Sequence, residues 1–133
     1  MKRTLAVALT LIATLALSAV AVSAGNPHFV GEPVVTISGN TITVTGKEAG
    51  LGNEAQIHVT LTADAQCVNR GGNNPEAANK TTVSAAGDFP VQSGKADFSL
   101  SATAAFQPNC SPPMSVVFSN VVVEDAANGL RFP

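Results

Sequence analysis

Ala55-Gln56-Ile57-His58-Val59-Thr60-Leu61-Thr62-Ala63-Asp64-Ala65-Gln66-Cys67 alternates without a break. Every odd position is apolar or small, and every even position is polar. A period of two is the signature of a β-strand with one face on a core and the other in water. No stretch beyond residue 24 keeps the spacing of an amphipathic helix, so the chain reads as all-β.

The same test works upstream. Val34–Ser38 and Thr41–Thr45 flank Gly39-Asn40, a two-residue hairpin turn. The turn sets Ile37 against Ile42 and Val35 against Val44, so register and pattern put the apolar residues on one face. Downstream, Thr81, Val83, Ala85, Gly87, Phe89 and Val91 stay in phase as one long strand. Ser93-Gly94 then reads as a second hairpin turn, pairing Val91 with Ala96 and Phe89 with Phe98. The strand after it buries Ala96, Phe98, Leu100, Ala102 and Ala104. The last begins with Met114, Val116 and Phe118 on one face and continues with Val121 and Val123. That change of phase at Ser119-Asn120 predicts a β-bulge. The expected core comprises Ile37, Ile57, Val59, Leu61, Phe89, Phe98 and Phe118.

Six strands alternating in direction bring the end of the third and the start of the sixth together. Cys67 and Cys110 fall at those two places. We expect one disulfide between them in an immunoglobulin-like antiparallel β-sandwich of six or seven strands. A small closed barrel is the alternative. Loops 68–79 and 105–113 then share one end with the Gly39-Asn40 turn. The loop from Gly46 to Glu54 shares the other end with Ser93-Gly94.

The compartment follows from the amino terminus. Lys2 and Arg3 precede an apolar run, Leu5 to Leu17, and Val22-Ser23-Ala24 offers the small residues of a cleavage site before Gly25-Asn26-Pro27. Residues 1–24 are therefore read as a signal peptide and 25–133 as a single secreted domain. An uncleaved anchor is the competing reading. Export agrees with a disulfide rather than a metal site or a reactive thiol. The whole chain has 133 residues with 7 basic and 9 acidic side chains. Without Lys2 and Arg3 the balance is 5 against 9, a net charge of −4. So few basic residues give no footprint for nucleic acid and no hold on an anionic membrane after cleavage.

Candidate chemistry is sparse. His58 lies on the polar face of its strand, and Asp64 is too far along it to pair, so we expect a solvent-facing histidine without an orienting carboxylate. His28 sits beside Pro27. No nucleophile elbow Gly-x-Ser-x-Gly occurs. Glu124-Asp125 with Glu32, or Glu48 with Glu54, could seed a calcium site, but none has an EF-hand spacing, and solvated edge charges are the preferred reading. No catalytic residue, metal or cofactor is assigned, and the chain is not expected to be an enzyme. Gly50-Leu51-Gly52-Asn53 and Arg70-Gly71-Gly72-Asn73-Asn74-Pro75 are turn-rich loops. Arg70, Asn73 and Asn74, beside the disulfide, are the candidate binding residues.

Asn26-Pro27-His28-Phe29, then Gly46-Lys47 with Ala49-Gly50-Leu51-Gly52-Asn53, then Cys67, Asn69 and Gly71-Gly72-Asn73 form a series. It resembles a group of small, uncharacterised secreted bacterial proteins. The resemblance implies secretion and a single domain and carries no activity, cofactor or catalytic residue. The expected function is a secreted or envelope-associated, non-enzymatic β-sandwich with a binding or structural role. Its expected partner is an extracellular protein or cell-envelope component. An enzyme inhibitor presenting loops 68–79 and 105–113 is the alternative, and a small hydrolase ranks below both.

Overall fold

The long alternation becomes strand β4, Gln56–Val68, about which the rest of the chain is arranged. The structure, a computed structural model, describes residues 25–69 and 79–133. The proposed signal peptide lies outside the described residues. The other strands are β1 (His28–Phe29), β2 (Val34–Ser38), β3 (Thr41–Ala49), β5 (Lys80–Pro90), β6 (Ala96–Thr103), β7 (Ser115–Asp125) and β8 (Leu130–Phe132). All ladders are antiparallel, and they form two sheets.

One sheet runs β5-β4-β7-β8. In the other, β3 is central: β6 pairs with it from Thr41 to Glu48, and β2 and β1 lie in tandem along its opposite edge. The Gly39-Asn40 hairpin has the expected register, Ile37 against Ile42 and Val35 against Val44. The bulge is also where the phase change put it. Thr62 pairs with Val122 but Asp64 with Ser119, and Asn120 takes a left-handed φ of 51° in the extra step.

Between the sheets, Ile57, Val59, Leu61, Ala63, Ala65 and Cys67 of β4 meet Ile42 and Val44 of β3 and Ala96, Phe98, Leu100 and Ala102 of β6. Cys67 is bonded to Cys110, which ties the loop between β6 and β7 to the end of β4. At the opposite end Leu51 N–H donates to the Gly94 carbonyl at 3.0 Å, joining the 50–54 loop to the Ser93-Gly94 turn as the strand count requires.

Several expectations need correction. There are eight strand segments among the described residues rather than six or seven; β1 and β8 are too short to show a period. Ser93-Gly94 closes only one bridge, Gln92 to Lys95, before the chain leaves β5 in one sheet for β6 in the other. Phe89 and Phe98 are thus not ladder partners. Their rings face each other across the core, with centroids 6.3 Å apart. Alternation identifies the inward face of a strand but not its sheet, because both sheets turn their inward faces to the same core. Ile37 is 51% exposed, and Phe89 and Phe118 are only half-buried. Phe106, not assigned to the core from sequence, is buried there.

Gly46 shows how closely that core is packed. A Cβ built on it would lie 2.4 Å from Phe98 Cζ. The Phe98 ring cannot swing clear, because it is buried and flanked by the rings of Phe29 and Phe89. Gly46→Ala should therefore cost about 1–3 kcal/mol through overpacking, measurable by denaturant unfolding. Replacing both cysteines by serine should remove up to about 4 kcal/mol, the loop-closure value for a loop this long.

Candidate functional site

Extending the inward phase of two strands leads to the chemistry that the sequence reading missed. On β3, Ile42, Val44 and Gly46 point inward, and the next residue in phase is Glu48. On β7, Val121 and Val123 are followed in phase by Asp125. Glu48 and Asp125 are both 0% exposed, which overturns their reading as solvated edge charges. The alternation could have found them, had β3 been carried past Thr45 and β7 past Val123.

The two carboxyl groups belong to different sheets and meet at the end away from the disulfide. Asp125 has donors of its own: Asn128 N–H at 3.3 Å and Asn128 Nδ2 at 2.7 Å, in the 3-10 turn Ala126–Asn128. Both oxygens of Glu48, and Oε2 of Glu54, are buried without a protein donor. Burial raises the Glu48 pKa from 4.5 to about 8, reinforced by a side-chain hydrogen bond to Asp125 and by the charges of Asp125 and Glu54. At neutral pH Glu48 therefore keeps its proton. That proton is the missing donor, and it links Glu48 to the Asp125 carboxylate across the two sheets. Among the described residues no three of His, Cys, Asp and Glu are grouped to hold a metal ion. Chemically, the arrangement holds Glu48 protonated at neutral pH beside Asp125.

His58 also needs correction. It does face solvent, but β4–β5 pairing sets it directly opposite Asp88, and its Nδ1 lies 2.7 Å from Asp88 Oδ1. The carboxylate comes from thirty residues away, and nothing in the sequence fixes the register of β5 against β4. Asp88 can accept a hydrogen bond from the ring and so orient it. By register the same-face neighbours are Gln56, Pro90, Thr60 and Ala86. Thr60, the one hydroxyl among them, donates to the Glu124 carbonyl at 3.4 Å. Farther along this face Asp64 accepts from Thr82 Oγ1 at 3.2 Å and from Asn120 Nδ2 at 2.8 Å. These are cross-strand ties on an open, polar sheet surface.

The third feature is an edge. Among the described residues β2 pairs only with β3, and all five of its residues are exposed. Val34 is 59% and Val35 37% exposed, alongside Ile37. Val35 and Ile37 share the inward face with Ile42 and Val44, yet little of the opposite sheet covers them. Below them a groove of about 350 Å³ opens between Ile37 and Asn40 on one side and Cys110, Pro112, Met114 and Val116 on the other. The sequence-predicted binding residues Arg70, Asn73 and Asn74 lie outside the described residues.

No protein-family model, curated protein or solved structure matches this chain.

The buried proton has a definite effect on stability. Unfolded, Glu48 titrates near 4.5; folded, at about 8. Between these values the folded chain holds a proton that the unfolded chain has released. Stability should fall as pH rises through that interval, by at most about 1.4 kcal/mol per pH unit, and level off above it. Glu48→Gln keeps a neutral donor for Asp125 and should flatten this slope. Thermal melts below, within and above the interval check both outcomes.

Proposed function

We propose that this chain is a secreted or envelope-associated, non-enzymatic β-sandwich whose role is binding or structural, exercised by strand pairing along β2. The observation that carries this reading is the exposure of β2. An edge strand presents unpaired N–H and C=O groups, and soluble proteins guard such edges with charge, proline or a bulge. Residues 34–38, Val-Val-Thr-Ile-Ser, contain none of these guards, and three of the five are apolar. This apolar edge, preceded by Glu32-Pro33 but free of charge and proline over its own five residues, lies beside a groove and suits an extended segment that adds one more strand to the sheet.

Other features support the setting. A Cys67–Cys110 bond belongs to an oxidising compartment, in keeping with export directed by residues 1–24. We read the architecture as immunoglobulin-like in the broad sense of two facing antiparallel sheets with a stabilising disulfide. A second reading, an enzyme inhibitor, draws support from the same bond, which holds the 105–113 loop against the end of β4.

Ile37→Lys tests the edge. The side chain is already half in water, so the change should leave unfolding within about 0.5 kcal/mol of wild type. A lysine there should sharply reduce recovery of any partner when the mature domain is used as bait on its native secreted and envelope fractions. Equal recovery by the variant, together with loss of recovery by His58→Ala, would turn the reading towards the His58–Asp88 face.

A further inference from the structure

We propose that the occupant of the β2 edge is a second copy of this chain, paired antiparallel through β2 about a two-fold axis at Thr36. This rests on the reading of β2 as the working edge and adds the identity of its partner.

The backbone makes the pairing specific. Ser38 and Thr41 flank the two-residue turn, so they are a hydrogen-bonded pair. Alternation then directs the N–H and C=O of Thr36 and Val34 towards β3, and those of Val35 and Ile37 towards the open edge. With the axis at Thr36, Val35 of each copy faces Ile37 of the other. Both residues turn their free groups to the edge, so each pair exchanges two hydrogen bonds and the strand forms four. Thr36 meets its own symmetry mate in the non-bonded position, where side chains approach most closely. This register overlaps all five residues of β2; moving the axis to Val35 or Ile37 shortens the overlap.

The side chains agree with the backbone. In this register Val35 and Ile37 of the two copies fall on the same face and make one apolar cluster where each alone is exposed. Each copy's Val35 comes opposite the other's Ile37, at the mouth of the groove bounded by Met114 and Val116. A shift by one residue would turn apolar side chains against polar ones. Charge also favours this edge. The mature domain has a formal net charge of −4, or −3 with Glu48 protonated, and repels its own kind, while residues 34–38 carry no charge. Two acidic copies can therefore meet here without opposing like charges. One strand pair of this length is a small contact, in the class below about 1,200 Å² in total, so the dimer should be reversible and concentration-dependent.

The test uses the purified mature domain with its native disulfide intact. Sedimentation over a wide concentration range should show a monomer–dimer equilibrium, abolished by Ile37→Lys. Thr36→Cys places two thiols at a Cα separation of about 4.5 Å in the dimer, within disulfide reach. Val34→Cys, exposed on the same outer face, leaves its thiols about 14 Å apart along the strands. Under mild oxidation Thr36→Cys should give covalent dimer on the order of tenfold faster than Val34→Cys. Equal rates for the two variants, or a wild type that stays monomeric throughout, would overturn the proposal. In the monomeric case, Ile37→Lys in the bait experiment separates the two claims. Loss of a captured partner leaves β2 as a working edge for a different protein, whereas unchanged capture removes the edge reading as well.

Discussion

The structure depends on the requirement that one face of β4 be dry along its whole length. Six inward side chains from Ile57 to Cys67 need a second layer opposite them, and β3 and β6 supply it. Everything placed near the middle of the molecule follows from that demand. β5 and β7 flank β4 on either side and satisfy its backbone. Its outward residues are then left as a hydrophilic row whose members bond across strands, as His58 does with Asp88 and Asp64 with Thr82 and Asn120. At exposures like those of His58 and Asp88, such ties contribute little to stability. The core contributes the larger share.

The two sheets are joined differently at their two ends. At one, a covalent bond fixes the β6–β7 connection to β4. At the other, the buried Glu48 of one sheet, its pKa raised to about 8 so that it holds its proton at neutral pH, meets the buried Asp125 of the other. The first join responds to reductant and the second to pH. A buried acid pair is weak evidence for net stabilisation, since an apolar pair of similar size could do as well. Its effect is conditional: loss of the proton leaves two like charges in a site with too few donors. Asn128 serves Asp125 alone, and neither Glu48 oxygen has a protein donor.

Much of this was legible in the sequence because period-two patterning reports directly on a half-buried strand. β4, the Gly39-Asn40 register, the bulge at Asn120 and the cysteine pair all followed from alternation and strand direction. What escaped shares one physical cause: alternation says which way a side chain points but not what stands opposite. Ile37 points inward but little covers it. Phe89 and Phe98 looked like neighbours in one sheet and are partners across two. Asp88 meets His58 only through the β4–β5 register, between residues thirty apart in sequence. Glu48 was hidden for a different reason: a strand ended at Thr45, with Gly46 to Glu54 as a loop, stops short of it, whereas β3 runs on to Ala49. The phase from Ile42 through Gly46 runs straight to it.

The Ser93-Gly94 corner has a consequence for how the chain reaches this form. Ser93 and Gly94 both have positive φ, as a tight hairpin turn requires, yet the two strands that it joins part into separate sheets. The local turn is therefore not rewarded by a local ladder. β6 must find β3, with Thr103 beside Thr41, and β7 must find β4 across the whole of β5 and β6. Among the described residues the β2–β3 and β7–β8 hairpins are the pairings whose strands are joined by the fewest residues. A chain wired in this way pays its loop-closure entropy before most of its contacts form, which places it among the all-β proteins that fold in roughly milliseconds to seconds.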